Sequence, residues 1–74
     1  MEKNFRIGII AATKIEVEPF ITIGELKSLA DKPFQLYFSD DIVLIITGIG
    51  KANAAAGTSF LLSHYDISNV YNIG

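Results

Sequence analysis

Seventy-four residues without a cysteine allow one small domain and exclude disulfide bonds, and the lone His64 has no partner with which to form a zinc cluster. Six basic and eight acidic residues give a net charge of −2 with no basic stripe, which argues against nucleic-acid binding. Half of the residues are hydrophobic and only 19% are charged, a composition typical of a protein interior and not of a disordered segment.

The strongest strand signals are two apolar runs at residues 7–12 and 42–46. Neither run shows the polar alternation of a half-exposed strand, so both are predicted to be buried on both faces of a sheet. A chain this short has few helices with which to cover such a sheet. We therefore expect a larger domain or a partner subunit to supply the missing layers.

A helix is predicted to begin at Lys14, directly after a first strand at residues 5–12. Thr13 precedes Glu16 by three residues, which is the spacing of a capping box at a helix start. Pro19 removes one backbone hydrogen bond and crowds the preceding turn. This first helix is therefore expected to be short or kinked.

The middle of the chain is predicted to form a hairpin. Residues 23–30 are interpreted as a further turn or two of helix, and residues 34–38 and 41–47 as strands of aromatic and aliphatic side chains. The short connection between these strands makes them antiparallel, whereas helical sequence separates both from the first strand. The sheet is therefore predicted to be mixed.

The last predicted elements are a helix from Lys51 and a strand at residues 69–73, with residues 64–68 ending the helix. The helix is expected to pack on the sheet through four residues at helical spacing, namely Ala52, Ala55, Ala56 and Phe60. The element order indicates one partial α/β domain at residues 1–74. Because the chain stops where a strand normally passes into a ligand-binding loop, we expect a truncated protein.

Two segments are candidates for chemistry. Glu16 follows the carboxyl end of the first strand, where open α/β sheets bind ligands, and is either a general base or simply a helix cap. The sequence TGIGK at residues 47–51 forms a turn whose N–H groups can face an anion or a sugar, or it only allows close helix packing. It matches neither the dinucleotide fingerprint nor a P-loop. His64 is interpreted as a structural residue at a helix end. The acidic pair at residues 40–41 is interpreted as solvated residues of a hairpin turn.

Three segments together resemble a known family. They are RIGIIAATKIEV at residues 6–17, ITGIGKANAAAG at residues 46–57 and VYNIG at residues 70–74. In order and spacing they are similar to the opening third of the 5'-methylthioadenosine/S-adenosylhomocysteine nucleosidases. The resemblance spans nearly the whole chain and is loosest at residues 21–40. It implies the N-terminal part of a three-layer, mixed-sheet nucleoside phosphorylase/nucleosidase fold.

The same resemblance implies an N-glycosyl hydrolase that cleaves a purine nucleoside with water and needs no cofactor or metal. Glu16 matches the catalytic residue that activates the water. Ala12 and Thr13 match positions close to the substrate, and Ile49 matches a residue that lines the pocket for the alkylthio group. Thr13 departs from the methionine often found at its position, which leaves the substrate open to a futalosine-type nucleoside.

Several alternatives remain beside this interpretation. A futalosine hydrolase or a nucleoside phosphorylase has the same architecture, although Lys14 and Glu16 stand where phosphorylases carry a phosphate-binding Arg, which favours hydrolysis. In the family, the Asp that protonates the purine and the residues that hold the ribose lie beyond position 74, so this chain alone is expected to be inactive. A non-catalytic remnant and a small nucleotide-binding module are the alternatives of another class.

The cellular location and the partners of the protein are also predicted from the sequence. No apolar run approaches the roughly 20 residues that cross a bilayer, and residues 1–6 lack the features of a signal peptide. We expect a cytoplasmic protein with no membrane or nucleic-acid partner. The family resemblance implies a homodimer.

Overall fold

The two apolar runs lie side by side in the middle of one sheet. The computed structural model describes residues 4–73. Its elements in chain order are β1 (Asn4–Ala11), α1 (Lys14–Ile23), β2 (Lys27–Ala30), β3 (Gln35–Phe38), β4 (Ile42–Ile46), α2 (Lys51–His64) and β5 (Asp66–Asn72). Within residues 4–73, neither helix is long and apolar enough to cross a membrane. Residues 1–3 and Gly74, which belong to the predicted domain, lie outside the described residues.

The sheet has five strands in the order β2-β3-β4-β1-β5. Strand β1 is parallel to both of its neighbours, β4 and β5, whereas β3 is antiparallel to β2 and to β4. The predicted hairpin of β3 and β4 and the predicted mixed sheet are therefore confirmed. The parallel pairs arise because each helix carries the chain back across the sheet before the next parallel strand begins.

The two helices lie on opposite faces of the sheet. Successive side chains of a strand point to opposite faces. On β4, Val43 and Ile45 pack in one apolar cluster with Leu61 of α2, and Leu44 packs in the other with Val17 of α1. The chain is thus a three-layer α/β unit, and the central β4 residues are buried on both faces as predicted.

Helix α1 begins at Lys14, as predicted, with Thr13 as its N-cap residue in an extended conformation. Pro19 lies inside the helix, which nevertheless continues to Ile23 and has 10 residues. Only Val17 of this helix is buried. α1 therefore covers a small part of its face of the sheet, and most of its apolar surface stays exposed.

The prediction of helix at residues 23–30 is wrong. Gly24 ends α1, Glu25 takes up a left-handed conformation with φ of 52°, and Lys27–Ala30 forms strand β2. The strand pairs with β3, and the half-buried Leu29 packs against the apolar cluster on the α2 face. Pairing with a neighbouring strand overrides the weak helical pattern of this segment.

The predicted packing face of α2 is wrong at its three alanines and right at Phe60, which is half-buried and packs against the apolar cluster that contains Leu61. Ala52, Ala55 and Ala56 are exposed, and the buried residues of the helix are Gly57 and Leu61. Alanines occur on every side of this helix, so their spacing does not select a face. The face is selected by the close approach of Gly57 to the sheet. Strand β5 begins three residues earlier than predicted because Asp66 and the residue after it pair with the start of β1.

Replacement of Gly57 tests this packing. A Cβ atom at Gly57 would collide with the Cγ2 methyl group of Thr47. Alanine favours a helix over glycine by up to about 1 kcal/mol, but overpacking costs about 1 to 3 kcal/mol. We expect Gly57→Ala to lower the free energy of unfolding, measured by urea titration with circular dichroism.

The control for this prediction removes the methyl group that the new atom would meet. In a Thr47→Ser background the hydroxyl group stays and the Cγ2 atom is absent. The destabilisation by Gly57→Ala should then shrink by at least half. An equal loss of stability in both backgrounds would show that the contact with Thr47 does not limit this position.

Candidate active site at the carboxyl edge of the sheet

The carboxyl ends of the three parallel strands meet at one edge. The backbone N–H of Gly48, after β4, donates to the carbonyl of Ala12, after β1, at 2.9 Å. On the other side of β1, the N–H of Ile73 donates to the carbonyl of Ile10 at 2.9 Å. Ligands of open α/β sheets bind at this edge because the loops that follow the strands converge there.

A surface cavity of about 260 Å³ lies at this edge. It is bounded by the ends of β1, β4 and β5 and by the first turn of α2. The lining residues are Ile10, Ala12, Thr47, Gly48, Gly50, Lys51, Ala54 and Asn72. Glycine, alanine and threonine are prominent among these residues, and such small side chains allow a ligand to approach the main chain closely.

Two glycines shape the turn that leads into α2. Gly48 has φ of 91°, and Gly50, the N-cap residue, has φ of 111° and ψ of 154°. These are conformations that residues with a Cβ atom rarely adopt. The side-chain amide of Asn53 donates to the carbonyl of Ile49 at 2.8 Å and braces the turn. The turn thus brings the N-terminus of a 14-residue helix to the cavity.

Thr47 connects the strand end, the turn and the helix. Its side chain is 7% exposed, and its hydroxyl group lies 2.9 Å from the carbonyl of Gly48 and 3.4 Å from that of Ala11. Its methyl group faces Gly57 of α2. One buried residue therefore sets how closely α2 and the glycine turn approach the end of β1.

Glu16 lies in the first turn of α1, on an exposed part of the same edge. Thr13 and Glu16 have the predicted capping-box arrangement, in which the backbone N–H of Thr13 donates to Oε1 of Glu16. The distance is 3.4 Å, at the long limit for such a bond. The carboxylate therefore keeps acceptor capacity for a water molecule.

The residues predicted to bind substrate lie at this edge but not in one cavity. Ala12 lines the cavity, and the half-buried Thr13 caps α1 beside it in sequence. Ile49, at the tip of the glycine turn, is 77% exposed. Within residues 4–73 the candidate site is thus open, with small residues in the cavity wall and exposed side chains around it.

Sequence reasoning did not single out Asn72, which lines the cavity from the end of β5. Its position is decided by the parallel pairing of β5 with β1, in which Asn72 lies beside Ile10. A polar residue at the end of a strand next to β1 was the available signal. That signal has meaning only when the strand order is known.

Comparison with curated proteins finds several relatives that carry the same enzyme name. No family model matches the chain. It is 37% identical over 73 residues to the 5'-methylthioadenosine/S-adenosylhomocysteine nucleosidase of Marinomonas sp. strain MWYL1, with 92% of this chain and 32% of that protein covered. It is 35% identical over 74 residues to the nucleosidase of the same name from Hydrogenovibrio crunogenus, and 34% identical to that from Bacillus cytotoxicus, each covering 93% of this chain and 32% of the relative.

A solved structure has the same fold. The 5'-methylthioadenosine/S-adenosylhomocysteine nucleosidase of Neisseria meningitidis, in complex with methylthio-immucillin-A, superposes with a TM-score of 0.78 at 27% identity. The match covers 97% of this chain and 32% of that one. The chain therefore spans about a third of the length of the curated relatives and of the solved structure that it matches.

The positive φ of Gly50 gives a prediction for the turn. No atom lies within 4 Å of a Cβ added there, so any cost of Gly50→Ala comes from the backbone alone. We expect a loss of about 1 to 3 kcal/mol in the free energy of unfolding, measured by thermal denaturation. A synthetic chain with D-alanine at position 50 should lose much less, because its preferences are the mirror image. Equal losses for the two enantiomers would contradict backbone strain as the cause.

Proposed function

This chain belongs to the family of 5'-methylthioadenosine/S-adenosylhomocysteine nucleosidases, and we propose that the full-length protein that carries it hydrolyses the N-glycosidic bond of such purine nucleosides. The observation that carries the proposal is identity of 34 to 37% to curated nucleosidases over at least 92% of this chain. In this proposal residues 1–74 are one part of a larger α/β domain.

We propose that Glu16 is the general base. Its carboxylate is exposed at the carboxyl edge and makes only a long hydrogen bond with the N–H of Thr13, so a water molecule has access to it. Glu16 accepts a proton from water as the water oxygen forms a bond to the anomeric carbon of the ribose. The bond from that carbon to the purine nitrogen breaks, and the purine leaves with its electron pair and takes up a proton.

We propose that Ala12, Thr13 and Ile49 contact the nucleoside. Ala12 lines the cavity at the end of β1, where a small side chain leaves room for a ligand. The exposed Ile49 supplies an apolar surface suited to the alkylthio group of methylthioadenosine, and Thr13 supplies a hydroxyl group. A comparison of methylthioadenosine with futalosine as substrates decides which nucleoside suits this polar position.

The proton donor for the purine and the groups that hold the ribose are assigned to the rest of the full-length protein. Without them Glu16 faces no oriented substrate, and most of the contribution of proximity to the rate is lost. We expect the 74-residue chain of verified mass to show no hydrolysis of methylthioadenosine above background, measured by release of adenine. Turnover by the isolated chain would contradict the proposal that the proton donor and the ribose-binding groups lie in the rest of the full-length protein.

Replacement of Glu16 tests its role in the full-length protein. We expect Glu16→Gln to lower kcat/KM by about 10² to 10⁴-fold, which is the usual contribution of general base catalysis. The matched control is Glu18→Gln, an exposed carboxylate on the same helix that should leave the rate unchanged. Full activity of Glu16→Gln would leave Glu16 as a helix cap only.

We further propose that the full-length protein is a cytoplasmic homodimer that needs no cofactor. The family resemblance supports the dimer, and the chain's composition and small net charge are consistent with the location. Sedimentation of the full-length protein measures the dimer directly. A monomer at micromolar concentration with full activity would contradict it.

A further inference from the structure

The tip of the glycine turn carries an apolar side chain that packing does not hold in place. Ile49 is 77% exposed, and among residues 4–73 it belongs to neither apolar cluster. It lies between Gly48 and Gly50, and glycine has a wide range of backbone angles open to it. The direction of the Ile49 side chain therefore depends on the hydrogen bonds that fix the turn.

Every carbonyl group of this turn accepts a hydrogen bond. The carbonyl before Ile49 accepts from the hydroxyl group of Thr47 at 2.9 Å, and the one after it accepts from the backbone N–H of Ala54 at 3.0 Å. The carbonyl of Ile49 itself accepts from Nδ2 of Asn53 at 2.8 Å. A single exposed side chain thus fixes the peptide group that carries Ile49.

Asn53 lies in the first turn of α2, which begins at Lys51. A Cβ atom built on Gly48 would lie 3.2 Å from Nδ2 of Asn53, so the amide group also lies close to the backbone of that glycine. Asn53 is exposed, and in the described part of the chain it packs in neither apolar cluster. Its side chain therefore contacts the turn without contributing to the core.

We propose that Asn53 is a positioning residue that sets the preference of the enzyme for nucleosides with a 5'-alkylthio group. This inference rests on the proposed function, in which Ile49 contacts that group. By holding the carbonyl of Ile49, the amide of Asn53 keeps the apolar side chain in the orientation that meets the substrate. Such preorganisation strengthens binding, because the apparent affinity falls with the fraction of molecules in the competent conformation.

The experiment compares two substrates of the full-length protein. Methylthioadenosine has the alkylthio group, and adenosine has a hydroxyl group in its place. We expect Asn53→Ala to lower kcat/KM for methylthioadenosine by about three- to tenfold, the usual effect of one hydrogen bond, mainly through a higher KM. The value for adenosine should stay unchanged. Release of adenine measures both reactions.

A second variant separates positioning from helix stability. Asn53→Asp has nearly the same shape, but an ionised carboxylate cannot donate to the carbonyl of Ile49. A negative charge in the first turn of a helix is itself favourable. We therefore expect the same loss of preference as in Asn53→Ala without a loss in the free energy of unfolding.

The matched control lies at the other end of α2. The hydroxyl group of Ser63 donates to the carbonyl of Ser59 at 2.7 Å, which is also a bond from a side chain to the carbonyl four residues earlier. Ser63→Ala removes this bond far from the glycine turn. It should leave kcat/KM for both nucleosides unchanged.

The outcomes separate this proposal from the proposed function. Equal losses on the two nucleosides in Asn53→Ala, or an unchanged preference in Asn53→Asp, would overturn the role of Asn53. If the unmodified full-length protein releases no adenine, the proposed function fails, and calorimetric titration with the same nucleosides tests Asn53 without turnover. Tighter binding of methylthioadenosine that both variants weaken supports the positioning role. Equal affinity for the two nucleosides, or binding of neither, contradicts it.

Discussion

The parallel pairing of β1 with both β4 and β5 is the constraint on which the rest of this structure depends. It places β1 in the centre of the three parallel strands and brings their carboxyl ends to one edge. Ala12, Thr47 and Asn72 are far apart in the sequence and line one cavity for this reason alone. An antiparallel neighbour on either side would direct its carboxyl end to the opposite edge. The direction of the strands therefore sets the position of the candidate site, and the side chains set its chemistry.

A close contact between helix and sheet refines this arrangement. Gly57 lies against the methyl group of Thr47, and the hydroxyl group of Thr47 bonds to the turn that follows β4. The N-terminus of α2 therefore reaches the cavity at a distance set by one glycine and one threonine. The left-handed conformations of Gly48 and Gly50 allow the chain to enter the helix from this position. Packing and turn geometry act together to place the first residues of α2 at the cavity.

The two faces of the sheet differ in how completely this chain covers them. On the α2 face, Leu61 is fully buried and aromatic side chains such as Phe60 pack around it. On the other face, α1 buries one residue and leaves an apolar groove between itself and the strands β1 and β4. The carboxyl-edge cavity is open in the same way, with Glu16 and Ile49 exposed beside it. Within residues 4–73, the residue proposed to activate water thus lies at an open edge of the sheet.

The sequence by itself determined the strands at the two apolar runs, the start of α1 at Lys14 and the mixed character of the sheet, because local signals specify these features. A capping box, glycines and uninterrupted apolar runs act within a few residues of one another. The motifs also indicated the family, which the relatives confirm. Tertiary structure alone decided that residues 27–30 are a strand, that α2 packs through Gly57, and that Asn72 lines the cavity. Each of these depends on contact with a segment distant in sequence, and local propensity carries no information about such contacts.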